Sequence, residues 1–456
     1  MFKRFTTKKA VETDETATKT TTTTTTTTSD GVSTVTKTSV TATSSHNHIE
    51  GSRHPHISAI ARGLRVPLTI WVVGYSTLSM LPKVVKNDRL YYRYSPGPVV
   101  IGLSRGELAY EPLFLLSGLA AGIELAEATP KGETIPGTWA LVKFWASKIV
   151  AVLPPIVSVI ASVLATAFQR GDGAEQHLSR VAHLFGAVTD CGFYLAAPWA
   201  FQTLLRADRG ASPRLAIGSA ILAGVISLVS SIRLGLHPAT AASSAVPFAH
   251  AITPPRSAGA GLYAAVPLRF PAFFAGLALA AERERDGKGP STQNQLIGLG
   301  ISAALWTGLL FVSPNYGSTE FQQIFAAFRY PAAALASYLA LRPLVTVPTE
   351  VVAATPWRRN LHKFLTHPTV EAVSSVILAA ELVHREVFHL VFWVAEKNGF
   401  VLVKNAGDLT DLKVVGVWGV VVAGSLGVGY IIHKILQAPA LKAVKGWFEK
   451  KRDKLH

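Results

Sequence analysis

Residues 62–79 read RGLRVPLTIWVVGYSTLS. Two arginines, Arg62 and Arg65, stand at the foot of an apolar run interrupted only by small or hydroxyl-bearing residues. A helix of about twenty such residues crosses the ~30 Å of hydrocarbon in a bilayer. Basic residues flank such helices on the cytoplasmic side. The stretch therefore predicts a membrane-spanning helix that enters from inside the cell. At a rise of 1.5 Å per residue, Ser76 lies about 16 Å beyond Arg65, half-way through the membrane.

The same pattern recurs along the chain. Ten segments have the length and apolarity expected of crossings: 66–82, 108–127, 149–168, 190–205, 214–232, 265–281, 295–313, 321–341, 372–394 and 414–436. The composition agrees, with 49% hydrophobic and only 16% charged residues in 456, where a soluble domain carries about 25% charge. The mean hydropathy is +0.31. The fold class expected is all-α, a polytopic membrane bundle of about ten helices. Lys and Arg concentrate in the segments that are inside if the N-terminus is inside. They include Arg206, Arg283, Arg285, Arg358, Arg359 and the basic end KAVKGWFEKKRDKLH. An even number of crossings then puts both termini in the cytoplasm, with the cell membrane as the expected location. Prolines within the segments, Pro154, Pro155 and Pro198, are tolerable where neighbouring helices satisfy the freed backbone groups.

The net charge of +16 raises the question of nucleic acid. The basic residues lie beside apolar runs rather than in a patch with interleaved aromatics, so membrane topology accounts for them and no nucleic-acid partner is expected. Three regions follow: a Thr-rich cytoplasmic tail over 1–55, expected to be disordered because it has almost nothing to bury; the transmembrane domain over 56–440; and a basic cytoplasmic tail over 441–456. No apolar stretch follows Met1, so no cleavable signal peptide is expected. A lone cysteine, Cys191, excludes an intrachain disulfide and a cysteine-rich zinc site.

Ionisable groups inside crossings are costly and face a bundle interior or a cavity. Glu111 and Glu124 bracket PLFLLSGLAAGI, Asp190 opens the fourth segment, Glu381, His384 and His389 lie in the ninth, and His433 ends the tenth. Glu381 and His384 are three apart and share a helix face. A carboxylate there can orient an imidazole for acid–base work, or the pair can act as polar glue between helices. Bundle metal sites repeat that spacing on two helices, and here it occurs once, so no metal is expected. Asp190 and Tyr194 are four apart on one face. The small residues of SGLAAG permit close helix packing.

Taken in order, these segments resemble the acyltransferase-3 family of integral-membrane acyltransferases. GLRVPLTIWVVGYS keeps Gly63, Leu64 and Arg65 and places Ser76 where the family has a histidine. LFLLSGLAAG matches at Ser117 and Gly118, and FWASKIVAVLPP keeps one cation of an arginine cluster, Lys148. FGAVTDCGFYLAAP retains Phe193, Tyr194 and Pro198, with Asp190 for a glutamate. RFPAFFAGLALA keeps Arg269 and Gly276, SSVILAAELVH places His384 on the family's histidine, and IIHKILQAPALKAV keeps Pro439 with Gln437 and Ala438 for a Glu-Arg pair. The resemblance implies transfer of an acyl group from a cytoplasmic donor, acyl-CoA, to an envelope sugar or glycolipid hydroxyl, with no permanently bound cofactor. It implies catalytic roles for Arg65, Ser76, Asp190, Tyr194, Glu381 and His384, and donor-binding roles for Ser117, Lys148 and Arg269. Membrane lipids, a glycan or glycolipid acceptor and a membrane-protein partner are the partners it allows. Serine is no general base at neutral pH. A serine within a crossing can instead donate to a carbonyl one turn back, here Val72 or Val73. That substitution leaves three readings open: an enzyme using another base, an inactive membrane subunit, or a transporter.

Overall fold

The computed structural model describes residues 21–28, 31–38, 55–84, 97–129, 136–170, 185–208, 210–233, 266–286, 291–312, 318–347, 355–398 and 410–452. The chain divides into two units, Met1–Arg53 and His54–His456.

In the first unit, β1 (Thr21–Thr28) pairs antiparallel with β2 (Gly31–Thr38), Thr28 opposite Gly31 and Thr21 opposite Thr38. The sequence expectation for residues 1–55 is disorder, and apart from these two strands and Pro55 that stretch lies outside the described residues. Weighing only what a segment can bury leaves out backbone preference, and branching at Cβ makes a threonine run favour extended backbone.

The second unit is helical. Its elements are α1 (Pro55–Val84), α2 (Pro98–Ser104), a short 3-10 turn (Gly106–Ala109), α3 (Tyr110–Ala128), α4 (Thr138–Arg170), α5 (Phe185–Arg206), α6 (Ala211–Arg233), α7 (Val266–Asp286), α8 (Thr292–Phe311), α9 (Thr319–Val345), α10 (Pro356–Leu365), α11 (Pro368–Lys397), α12 (Asp411–Ile432), a π-helical turn (His433–Gln437) and α13 (Ala438–Arg452). Every one of the ten predicted segments lies on a helix. Among the described residues six stretches are long and apolar enough to cross a membrane: Pro55–Leu78, Gly106–Ala128, Thr138–Leu164, Ala211–Val229, Thr292–Phe311 and Asp411–Lys451. The second unit is an all-α membrane bundle on that evidence. Of the other four helices, α7, α9 and α11 carry charged residues along their length, which lowers their average apolarity. The basic end, expected as a separate tail, continues the last helix to Arg452.

Helix ends follow local chemistry. The side chains of Ser291, Ser318 and Thr410 accept from the backbone N–H three residues on, capping α8, α9 and α12. Pro356 and Pro368 open α10 and α11 at the position where a missing N–H costs nothing.

Contacts fix the relative directions. Arg65 of α1 meets Ser117 of α3 and, ten residues on, Tyr75 meets Glu107, so α1 and α3 are antiparallel. Phe114 and Gly122 of α3 touch Phe193 and Phe201 of α5, and Glu111 and Gly122 touch Arg269 and Ala280 of α7. Arg269 and Glu282 of α7 in turn meet Tyr330 and Arg342 of α9. These four helices are parallel. Arg62 pairs with Glu371 of α11 and Thr69 faces Glu381, so α11 runs with α1. Lys148 and Ser162 of α4 meet Glu124 and Glu386, which gives α4 the direction of α1. Antiparallel contacts of α6 with α7 and α9, of α8 with α9 and of α12 with α11 complete the pattern. Thus α1, α4, α6, α8 and α11 point one way, and α3, α5, α7, α9 and α12 the other.

Small residues bring the central helices together. A Cβ on Gly118 would strike the Phe273 carbonyl, and one on Gly276 the Leu115 carbonyl and the Leu119 nitrogen. The α3–α7 contact is therefore backbone against backbone, the close approach that small residues allow in membranes. Around it Leu115, Leu119, Phe201, Phe273 and Tyr338 form the main buried core.

Two prolines show how the backbone is kept satisfied. Proline at position i offers no N–H to the carbonyl at i−4. Pro198 in this way frees the Tyr194 carbonyl, and the Trp145 indole N–H of α4 donates to it at 3.1 Å. Pro155 frees the Ala151 carbonyl, and the Gln437 amide donates to that one at 2.7 Å.

Candidate functional site

The end of the bundle where α1 begins is called the near end below. From it, a series of charged and hydroxyl groups follows α3 through the interior. Glu124 comes first. Its carboxylate pairs with Lys148 and accepts from the Ser147 hydroxyl at 3.2 Å. Lys148 also lies 5.4 Å from the Tyr194 ring centre and feels the charge of Arg65. Next is Arg65, which donates to the Ser117 hydroxyl at 2.6 Å and interacts with the Glu381 carboxylate. The Thr69 hydroxyl faces Glu381 as well, without closing a hydrogen bond of good geometry.

Deeper still, Tyr110 stands among Glu381, Arg385 and Arg269. Arg269 pairs with Glu111 at 3.2 Å, with side chains 15% and 2% exposed. The guanidinium is 5.8, 5.7 and 5.1 Å from the ring centres of Tyr110, Phe114 and Tyr330. Arg329 then pairs with Glu107 at 2.8 Å and donates to the Tyr330 hydroxyl at 2.7 Å, while the Tyr75 hydroxyl donates to Glu107 at 3.3 Å. Glu107 and Glu124 are seventeen residues apart on one continuous helical path, about 25 Å at 1.5 Å per residue. A further pair, Arg342 with Glu282, takes a 3.2 Å hydrogen bond from the buried Tyr338 hydroxyl.

Five of the nine residues implied by the resemblance meet in this near half: Arg65, Ser117, Lys148, Tyr194 and Glu381. They come from α1, α3, α4, α5 and α11. Arg269 belongs to the next layer, reached through Tyr110. His384 is buried on the same helix as Glu381, but the expected carboxylate–imidazole pair does not form. The Glu381 carboxylate feels the charge of Arg65, and the His384 Nδ1 bonds the Glu381 backbone carbonyl. That carbonyl makes Nδ1 the protonated nitrogen.

Ser76 is 1% exposed and eleven residues up α1 from Arg65. Its neighbours along the helix, Val73 and Leu78, pack with Phe388, Val414 and Val417. Next to it, Thr77 donates to the Val73 carbonyl at 2.8 Å. Asp190 falls in the first turns of α5, and its side chain lies outside the described residues. Among the described residues no group of three His, Cys, Asp or Glu side chains has the placement of a metal site.

Sequence reasoning missed Glu107, Tyr110, Arg329 and Tyr330. A signal existed for the first two. Tyr110, Ser117 and Glu124 recur every seven residues and Glu107 and Glu111 are four apart, so α3 carries one polar strip. At the membrane-surface end of α8, Arg358 of α10 is buried against Gln295, the two side chains 2.5 Å apart, and burial holds its guanidinium below its usual range. Trp357, Arg359, Lys363 and Phe364 of α10 are exposed around it, the make-up of a helix lying in a membrane interface.

No protein-family model, curated protein or solved structure matches the chain.

Proposed function

We propose that this chain is a ten-crossing integral membrane protein, with both termini in the cytoplasm, that binds an acyl donor in the near half of its interior and belongs in mechanism with the acyltransferase-3 type. The observation carrying this reading is the meeting of Arg65, Ser117, Lys148, Tyr194 and Glu381 from five helices. The alternating helix directions support ten crossings, because each successive crossing must reverse. The Lys and Arg distribution supports a cytoplasmic near end.

In this reading Arg65 and Lys148 hold the anionic part of an acyl-CoA donor by charge-assisted hydrogen bonds. Glu381 takes the proton of the acceptor hydroxyl as that oxygen attacks the thioester carbonyl. The carbon–sulfur bond breaks and the thiolate leaves with CoA. Ser76 supplies no base and takes no part. General-base catalysis contributes about 10² to 10⁴-fold.

The test is transfer of radiolabelled acetyl from acetyl-CoA to a glycolipid extract by purified protein in lipid nanodiscs. Glu381→Gln is expected to lower the rate at least about 100-fold, Arg65→Ala to raise the donor KM, and Ser76→Ala to leave the rate unchanged. Transfer no faster than in protein-free nanodiscs would end the reading. So would an unaltered Glu381→Gln.

A further inference from the structure

The series of buried pairs runs deeper than a donor site needs. Its members past Arg65, namely Glu111, Arg269, Glu107 and Arg329, have no part in the proposed acyl transfer. We propose that the carboxylates Glu124, Glu381, Glu111 and Glu107 form a proton route along α3 through most of the membrane thickness. The inference does not rest on the acyltransferase reading.

Three observations carry it. The first is extent. The route covers about 25 Å along α3 of the ~30 Å a bilayer's hydrocarbon presents, and charged groups at such depth mark ion and proton pathways. The second is continuity. Hydroxyls stand between the carboxylates: Ser117 on Arg65, Tyr110 beside both Glu381 and Arg269, and Tyr330 between Arg269 and Arg329. The third is what happens to the cations. When Glu111 takes a proton, Arg269 loses that carboxylate's charge in a water-poor interior, and an inert ion pair would resist that. Here the faces of Tyr110, Phe114 and Tyr330 surround the guanidinium at 5.1 to 5.8 Å, and Tyr330 does the same for Arg329 at 4.6 Å. An aromatic face stabilises a desolvated cation, so the charge has a second resting state while its carboxylate is neutral.

Accessibility gives the route a direction of entry. The Glu124 side chain is 40% exposed, that of Glu111 2% and that of Glu107 10%. Glu124 is the open end of the route, and Glu111 is its most enclosed carboxylate. The groups facing Glu111 are Arg269 from α7 and Tyr330 from α9; those facing Glu381 are Arg65 and Thr69 from α1 and Tyr110 from α3. Each carboxylate becomes neutral as the proton arrives and an anion again as it leaves. One proton disappears from one side and one appears on the other, and nothing is oxidised or consumed.

The test uses the full chain in proteoliposomes with a trapped pH indicator and a potassium-diffusion potential. Acidification of the lumen is expected well above that of protein-free vesicles. Glu111→Gln should slow it at least 10-fold, and Glu111→Asp should restore part of the rate. Glu124→Gln, at a carboxylate more exposed than Glu111 or Glu107, should slow it 3-fold or more and provides the test if the Glu111 variants do not fold. Acidification no faster than in protein-free vesicles would overturn the proposal, as would equal rates for wild type and the glutamine variants. Acyl transfer without proton flux would leave the enzyme reading standing and remove this one.

Discussion

Helices α3 and α8 are similar in length and in average apolarity, yet they live in different surroundings. The crossing formed by Gly106–Ala128 is 83% buried within the bundle and that formed by Thr292–Phe311 only 11%. Two features separate them. On α3, glycines meet neighbouring helices: Gly118 lies on the Phe273 carbonyl and Gly122 on the Ala280 methyl, whereas Gly300 and Gly308 of α8 face open space. The α3 crossing also holds Glu107, Glu111 and Glu124, each with a cation from another helix, while α8 has no charged residue. Average apolarity shows that a helix can enter a membrane. Small residues and interior charges show which helices the others are built around.

The sharpest way to break this comparison is a matched pair of substitutions. Gly118→Leu places a side chain against another helix's backbone, which cannot retreat as a rotamer can. Overpacking of this kind costs about 1–3 kcal/mol, more where backbone must shift, so the variant is expected to lose the monodisperse peak in detergent chromatography. Gly300→Leu, facing open space, should keep the peak and the wild-type melting temperature. Equal behaviour of the two would mean that α3 is not the central helix.

A smaller effect is expected from the charges. Glu282 is buried and accepts from Arg342 Nε at 2.9 Å and from Tyr338 at 3.2 Å. Glu282→Gln keeps the shape and removes the charge of the carboxylate that the guanidinium meets. Hydrogen bonds to charged groups contribute about 1.5–3 kcal/mol, so a clear drop in melting temperature is expected. Glu320→Gln, at an exposed cap on the same helix as Arg342, should not move it. A Glu282→Gln melting curve superimposable on wild type would show that the buried pairs do not hold the bundle.

The smallest of the three concerns backbone rather than side-chain pairing. Gln437→Leu removes the donor that answers the Ala151 carbonyl. An unsatisfied buried acceptor costs about 1 kcal/mol or somewhat more. Restoring Pro155 to alanine in the same chain supplies an N–H for that carbonyl and should recover the loss. Failure of the double variant to recover would separate Gln437 from the proline.

Helix positions were readable in the sequence because each crossing declares itself within about twenty residues. The close contact at Gly118 and Gly276 could be anticipated for the same reason, since small residues in a crossing have few other uses. Partners could not be read. Glu111 finds Arg269 at a separation of 158 residues and Arg62 finds Glu371 across the whole bundle, and no local pattern fixes which charge meets which. His384 illustrates the limit. Its spacing from Glu381 allowed an oriented imidazole or polar glue between helices, and the ring bonds the Glu381 backbone carbonyl while the carboxylate feels the charge of Arg65 on another helix. The hairpin at Thr21–Thr38 was hidden for the opposite reason: its signal is backbone preference, in a segment judged on burial.

The bond from Gln437 to Ala151 joins positions 286 residues apart, and that separation is also an interval in time. A ribosome releases α4, with its two adjacent prolines, long before the turn that carries Gln437 exists. The growing chain must therefore lodge α4 in the lipid with a carbonyl that nothing yet answers, and the final crossing closes the gap. A chain truncated before the π-helical turn would keep α4 and lack the Gln437 amide that donates to its Ala151 carbonyl.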